Sequence, residues 1–139
     1  MCSDANNIKL ENESVDIIIW CWFFWTIISQ EKQDEIFNEM NRVLKKWWKI
    51  ILVENSDSWD FERIRWKNII FPNPTKSYNN NLIKKYWFKN FKNVNTYFKF
   101  KDIQEAKRVF WFIRWENTSI KINSNIINHD VTIFSYSKK

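Results

Sequence analysis

The chain has 139 residues, enough for one domain with a hydrophobic core and no more. Its formal charge is +6, from 22 basic and 16 acidic side chains, and the basic residues are spread along the chain rather than gathered in one block. This spread favours an ordinary solvated surface over a dedicated nucleic-acid patch, although the charge is compatible with some affinity for RNA or anionic substrates.

The first half of the chain predicts a strand, a helix and a second strand. Residues Val15 to Ile19 form a near-continuous apolar run, as expected for a parallel strand covered on both faces. A helix is predicted from Glu31 to Lys45, and a strand from Lys49 to Glu54. With short links this is a βαβ unit, whose two strands run parallel. The helix has one apolar stripe, formed by Ile36, Phe37, Met40, Val43 and Leu44.

The second half predicts two shorter helices and two strands. Phe71 to Asn81 is rich in Pro and Asn and reads as a loop, followed by a helix from about Asn80 to Tyr86. The segment from Asn93 to Phe100 alternates like a strand. Asp102 and Glu105 form a capping-box pattern that opens a helix, and His129 to Ser137 is predicted as the last strand. The predicted apolar face of the last helix consists of Ile103, Ala106, Phe110 and Ile113.

Cysteine and histidine are too few to suggest a metal site. Cys2, Cys21 and the single His129 do not supply the roughly four ligands of structural zinc. The most apolar run, Ile17 to Ile28, is shorter than the roughly 20 residues of a membrane span and follows acidic residues rather than a basic leader. We therefore expect a cytoplasmic protein without a membrane segment, a metal or a disulfide.

Glycine and tryptophan usage is unusual. The chain has no glycine and ten tryptophans, whereas average usage of about 7% would give on the order of ten glycines. One interpretation is a genuinely Trp-rich domain. The interpretation that we favour is that tryptophan stands at glycine positions, because the codon UGA means glycine in the source genome and is translated here as tryptophan. The abundance of Lys, Asn, Ile and Phe fits an AT-rich genome.

Individual tryptophan positions support this interpretation. Trp47 and Trp48 follow the first predicted helix and Trp87 follows the second, where a left-handed residue is commonly needed and glycine is best suited. Trp111 lies mid-helix, where glycine would gain nothing. Two further positions favour glycine, one in a polar loop and one at a helix end: Trp59 and Trp115.

Two segments carry a family resemblance. With Trp read as Gly, the "RVLKKWWKIILVE" of Arg42 to Glu54 resembles the "RVLKPGG" segment of class I S-adenosylmethionine-dependent methyltransferases, with Lys46 in place of proline. Upstream, "SDANNIKLENESVDIII" (Ser3 to Ile19) resembles the acidic-Ala segment that precedes the fourth strand of that family. The order and spacing of the two segments also match. The resemblance implies an α/β fold, specifically the C-terminal half of a Rossmann-like methyltransferase sheet with one antiparallel strand in its last pair.

The resemblance also implies cofactor-binding residues for S-adenosylmethionine. Asp4 and Ala5 would recognise the adenine edge through the carboxylate and the following backbone amide. Ile19, Trp20 and Cys21 would lie beneath the methionine part, at the strand end where open parallel sheets bind ligands. We expect Cys21 to be a small buried residue, Arg42 to be a structural ion-pair residue, and Glu54 and Asn55 to be weaker pocket candidates. No catalytic residue is identified.

One departure from the family affects activity. The glycine-rich cofactor loop and the acid that holds the ribose have no counterpart, so residues 1–139 read as a single partial domain that we expect to be inactive by itself. Its first strand would be an uncovered sheet edge. The methyl acceptor and the oligomeric state are not identified. The alternative function is a basic, aromatic-rich module that binds single-stranded nucleic acid by stacking, although the aromatics fall at turns and on apolar faces rather than along a basic strand.

Overall fold

The predicted βαβ unit is present. β1 (Val15–Cys21) and β2 (Leu44–Asn55) are parallel, with Ile18 opposite Ile50 and Trp20 opposite Leu52, and α1 (Gln30–Val43) connects them. This architecture comes from a computed structural model that describes residues 4–23, 26–27, 29–56, 60, 74–114 and 120–139. The chain divides into two compact units, residues 1–54, 78–92 and 132–139 in the first and residues 55–77 and 93–131 in the second.

α1 forms where the sequence supplies a cap and an apolar stripe. The side chain of Ser29 accepts a hydrogen bond from the Lys32 amide, and Glu31 in the first turn interacts favourably with the helix dipole. The helix ends at Val43, two residues before the predicted Lys45, because Leu44 adopts an extended backbone and starts β2 directly. All five residues of the predicted stripe are buried: Ile36, Phe37, Met40, Val43 and Leu44.

The main sheet has four strands in the order β1-β2-β6-β3, with β3 at Lys89–Val94 and β6 at Val131–Ser137. The Trp47 amide donates to the Lys138 carbonyl and the Lys138 amide donates to the Trp48 carbonyl, so the start of β2 pairs with the end of β6. These neighbouring strands therefore run antiparallel. β6, which runs opposite to β2, is next to last in the sheet order, as the predicted partial Rossmann-like sheet requires for its antiparallel strand.

The core of the first unit lies on one face of this sheet. Met40 of α1, Leu52 of β2 and Phe134 of β6 belong to a cluster of fully or almost fully buried side chains. On the opposite face of β1, Ile17 is 49% exposed and Ile19 is 64% exposed. The prediction that β1 is covered on both faces is therefore wrong for one face.

The helix before β3 starts earlier than predicted. α2 spans Pro74–Lys84, so the segment predicted as a loop up to Asn81 is largely helical and the predicted end at Tyr86 lies two residues too late. Its last turns contribute Leu82 to the core of the first unit. Proline is favoured at the first helical position, since its missing N–H is not needed there. Pro74 is thus the start signal that the loop prediction missed.

The described residues of the second unit include a two-stranded sheet and a helix. β4 (Tyr97–Lys99) and β5 (Ile126–Asn128) pair antiparallel, so the predicted strand from Asn93 to Phe100 is divided between β3 and β4. α3 spans Ile103–Arg114, and the Asp102 carboxylate accepts from the Glu105 amide at 2.8 Å, as the capping pattern predicts. Its core consists of Ala106, Phe110, Ile122 and Ile127. Ile103 is 40% exposed, which corrects that part of the predicted face, and the side chain of Ile113 lies outside the described residues.

Three tryptophans have a left-handed backbone. The φ angles are 51° at Trp22, 69° at Trp47 and 57° at Trp87, and Glu13 is the fourth non-glycine residue with positive φ among those described. Trp87 lies in the turn after α2, as predicted. Trp47 is not next to the end of α1; it lies in an irregular stretch of β2, where the partners of Val15 and Ile17 are Leu44 and Lys49, five positions apart. Trp59 and Trp115 lie outside the described residues.

Candidate functional site

A loop of residues 4–14 leads into β1 and is attached to the side of α1. The guanidinium of Arg42 donates to the carbonyl oxygens of Ile8 and Leu10, at 2.9 and 2.8 Å, and to the Asn12 side-chain oxygen at 2.9 Å. The Glu39 carboxylate accepts from the Ile8 amide at 3.0 Å. The predicted ion pair of Arg42 is confirmed, with its Nε 2.8 Å from Glu39, but its contacts extend well beyond that pair.

The charges of this pair reinforce each other. Hydrogen bonds from Arg42 lower the pKa of the Glu39 carboxyl, and the Ile8 amide acts in the same direction against the effect of burial. The carboxylate in turn raises the pKa of the Arg42 guanidinium. Both groups are thus charged at neutral pH, which makes their hydrogen bonds stronger than neutral ones.

The two residues predicted for adenine recognition lie at the start of this loop. Asp4 is exposed, and its carbonyl oxygen accepts from the Asn7 amide at 3.0 Å, which closes a turn. Ala5 is half-buried and packs against the core cluster of the first unit. Trp20 packs against the same cluster. The structure therefore brings Ala5 and Trp20 to one hydrophobic cluster. Asp4, which precedes Ala5 in the sequence, is exposed to solvent.

The three residues predicted at the end of β1 alternate between its two faces. Ile19 and Cys21 are exposed, whereas Trp20 is half-buried and stacks on Phe23 with ring centroids 4.7 Å apart. The expectation that Cys21 is buried is wrong, because it shares the uncovered face of β1 with Ile19. Trp22 follows in a left-handed conformation and donates its amide to Val53, which extends the β1–β2 ladder by one residue.

Asn55, the last residue of β2, belongs to the second unit and has a polar contact there. Asn55 Oδ1 lies 3.0 Å from Nε2 of His129, and the His129 ring stacks on Phe98 at 4.8 Å. Burial lowers the pKa of His129, an effect that Asp130 partly opposes. In the first unit, Glu54 is buried, with 1% of its surface exposed. The sequence does not indicate the contact of His129, because 74 residues separate it from Asn55.

An open groove lies at the opposite end of the strands. It has a volume of about 950 Å³, and its lining includes the exposed side chains of Trp47 and Trp87 together with Lys89 and Tyr136. Trp47 belongs to the start of β2, whereas open parallel sheets bind ligands beyond the carboxyl ends of their strands. The groove thus lies at the opposite strand ends from those where open parallel sheets bind ligands, and two tryptophan side chains contribute to its lining.

Two features are not found among the described residues. In that part of the chain no three His, Cys, Asp or Glu side chains come together in a way that could hold a metal ion. None of the helices described combines the length and apolar composition needed to cross a bilayer.

Comparisons with known proteins give one family-model match and several structural matches. A family model described as a methyltransferase domain matches residues 1–51. Among solved structures, an S-adenosylmethionine-dependent methyltransferase from Methanosarcina mazei superposes with a TM-score of 0.56 at 14% identity, over 99% of this chain and 66% of its own. The YcgJ protein from Bacillus subtilis gives 0.57 at 11%, over 99% of this chain and 69% of its own.

A third solved structure, the MccD protein, gives a TM-score of 0.55 at 15% identity, over 99% of this chain and 66% of its own. No curated protein sequence matches the chain. At these identities the structural likeness establishes the fold alone, and the chain spans about two thirds of the length of these relatives. Nothing in the fold or the comparisons favours the nucleic-acid-binding alternative. The resemblance to class I S-adenosylmethionine-dependent methyltransferases is therefore confirmed, and the chain has part of their fold.

Proposed function

We propose that the chain is part of a methyltransferase that transfers a methyl group from S-adenosylmethionine to an acceptor. The observation that supports this most directly is the family match over residues 1–51. That stretch contains the loop of Asp4 and Ala5, the whole of β1 and the Arg42 that holds the loop. The segment that would bind the cofactor is thus the segment that resembles the family.

The loop fits the adenine end of the cofactor. The exposed carboxylate of Asp4 can accept a hydrogen bond from an exocyclic amine, and the backbone amide after it can donate to a ring nitrogen. Ala5 is small and half-buried against the core, which suits an apolar contact beside a flat ring. We propose Asp4 and Ala5 as the adenine-binding residues.

The methionine end fits less well with the residues present. We propose that Ile19, Trp20 and Cys21 lie beneath it at the carboxyl end of β1. The stacked rings of Trp20 and Phe23 and the side chain of Trp22 occupy space there that small residues would leave open. A glycine at positions 20 and 22 would let the backbone approach the cofactor closely.

The chemistry requires mainly positioning. Bound S-adenosylmethionine supplies a methyl group on a positively charged sulfur, which an acceptor attacks in line. The protein residues hold the adenosine and orient the donor, and such positioning can supply much of the rate. We assign no catalytic side chain and no acceptor. We propose a cytoplasmic protein, which the exposed free thiol of Cys21 supports, because such thiols persist in reducing compartments.

We further propose that the tryptophans stand at glycine positions. Among the described residues, three of the four that have positive φ are tryptophan, and L-residues pay about 1–2 kcal/mol for this conformation. Mass spectrometry of the protein isolated from its source cells tests this: the peptide that spans residues 47–48 should contain two glycines. Two tryptophans in that peptide would refute the recoding and leave the methyltransferase proposal standing.

The chain covers only part of the proposed enzyme. We propose that a segment encoded upstream supplies the glycine-rich cofactor loop and further strands, which would pair with the edge of β1 and cover Ile17 and Ile19. Support comes from the exposure of both side chains and from the third of each relative that this chain does not span. The chain by itself should then bind the cofactor weakly and be inactive.

Calorimetry tests the proposed function. The product of the whole coding sequence, including about a hundred upstream codons, is titrated with S-adenosylmethionine and with S-adenosylhomocysteine. We expect saturable binding of both, weakened at least tenfold by Asp4→Asn and unchanged by the control Asp16→Asn, whose carboxylate pairs with Lys45 of β2. No binding of either compound would refute the proposal.

A further inference from the structure

The side chain of Arg42 donates more hydrogen bonds to the loop of residues 4–14 than to its acidic partner Glu39. A guanidinium has five N–H donors. Two of the bonds go to Glu39, at 2.8 and 2.9 Å. The other three go to oxygens of Ile8, Leu10 and Asn12, at 2.8 to 2.9 Å. All five donors are therefore used, and the majority bind residues that precede Arg42 by 30 or more positions.

The surroundings of Arg42 fix both ends of the same loop. Near its start, Asn6 donates to the Glu35 carboxylate at 3.1 Å, and the Ile8 amide donates to Glu39. At its end, the Glu13 amide donates to the carbonyl of Arg42 and the Ser14 amide to the carbonyl of Val43, both at 2.9 Å. The loop is thus attached to one face of α1 from Asn6 to Ser14, and Arg42 binds its middle.

We infer that Arg42, with Glu39, is a positioning residue for the adenine end of the cofactor. It acts through the loop, whose first residues are Asp4 and Ala5, and touches no cofactor itself. This inference rests on the proposed function, because Asp4 and Ala5 bind adenine only if the chain belongs to a methyltransferase.

The geometry requires arginine rather than a generic cation. Two loop carbonyls, one amide oxygen and a bidentate carboxylate surround the planar group, an arrangement that a single ammonium cannot reproduce with its three donors. Glu39 is also needed in its charged form, since one carboxylate oxygen accepts from both Arg42 and the Ile8 amide. Lysine at position 42 should therefore restore only part of the order.

Hydrogen exchange and cofactor binding together test the inference. In Arg42→Met, amides of residues 6–14 should exchange at least tenfold faster than in the wild type, while peptides from β2 and β6 keep their protection. The dissociation constant for S-adenosylhomocysteine, measured on the product of the whole coding sequence, should rise at least tenfold, with Arg42→Lys in between. Lys85→Met is the matched control, because it breaks an ion pair with Asp34 of α1, at 2.7 Å, instead of one with the loop.

The outcomes separate the inference from the proposed function. Unchanged exchange in the loop, or equal loss of protection throughout the domain, would overturn the inference. A loosened loop with unchanged cofactor affinity would reduce Arg42 to a structural residue and overturn it as well. If the wild type does not bind the cofactor, the proposed function fails and positioning for adenine fails with it, whereas exchange still decides whether Arg42 orders the loop.

Discussion

The left-handed tryptophans predict which of two replacements, glycine or alanine, gives the more stable protein, and the order should differ between Trp47 and Trp111. Trp47 has φ 69° and is 79% exposed, so about a fifth of its surface is buried. A fully buried tryptophan covers up to about 250 Å², so replacing Trp47 removes about 50 Å², or about 1.3 kcal/mol at about 25 cal/mol per Å². Alanine and glycine both lose this contact, and the difference between the two variants therefore isolates the backbone.

The backbone difference follows from two opposing effects. A left-handed alanine costs about 1–2 kcal/mol, a cost that glycine avoids. Glycine also loses about 0.5–1 kcal/mol more backbone entropy than alanine on folding, which cancels part of this advantage. Trp47→Gly should therefore be more stable than Trp47→Ala by about 1 kcal/mol. At Trp111, inside α3, the order should reverse, with glycine less stable than alanine by about 1 kcal/mol.

Urea unfolding followed by far-ultraviolet circular dichroism measures both pairs. With a slope of about 2 kcal/mol per M, each difference moves the midpoint by about 0.5 M, in opposite directions at the two sites. If Trp47→Ala is as stable as Trp47→Gly, the left-handed backbone at this site carries no cost and the physical argument for a glycine position fails. If both sites favour glycine, an effect other than φ is responsible.

Three further predictions concern titration and the sheet edge. Because burial disfavours the charged ring, nuclear magnetic resonance should give His129, the one histidine of the chain, a pKa below 6.5, and stability should fall as pH drops through that value; a pKa at or above 6.5 would contradict this. Hydrogen bonds from Lys85 and Tyr86 lower the pKa of Asp34, so its contribution to stability should be complete above pH 3.8 and lost as the pH falls below that value. Asp34→Asn should remove this pH dependence of stability in urea titrations at pH 2 to 5. An unchanged pH profile would refute the role of Asp34. The exposed apolar residues of the edge strand β1 should make the chain self-associate, and Ile19→Lys should reduce that association in sedimentation experiments without changing the circular dichroism spectrum. An unfolded variant would mean that Ile19 is part of a covered face.

Local chemistry in the sequence was sufficient to predict the βαβ unit. The stripe from Ile36 to Leu44 repeats with the helical period and is buried in full. The left-handed backbone at Trp47 and Trp87 was also predictable from their positions after predicted helices, because the residue just after a helix end is commonly left-handed. At Trp47 the conformation was right, although its cause is an irregular pairing of β2 rather than the helix end.

Properties that depend on distant partners could not be predicted from the sequence. An apolar run such as Val15 to Ile19 has the same composition whether one face or two are covered, so the exposure of Ile19 has no local signal. The contacts of Arg42 with the loop have none either, since two of its three acceptors there are backbone oxygens, of residues 8 and 10. Asp4 and Ala5 came from motif register alone, and their role stays a prediction.

A crystal structure of the product of the whole coding sequence with S-adenosylhomocysteine would test the central claim most directly. We expect the adenine beside the Asp4 carboxylate and the Ala5 amide, and the amino-acid end next to residues 19–21 at the carboxyl end of β1. Cofactor bound elsewhere, such as in the groove between Trp47 and Trp87, or no bound cofactor at saturating concentration, would contradict the account.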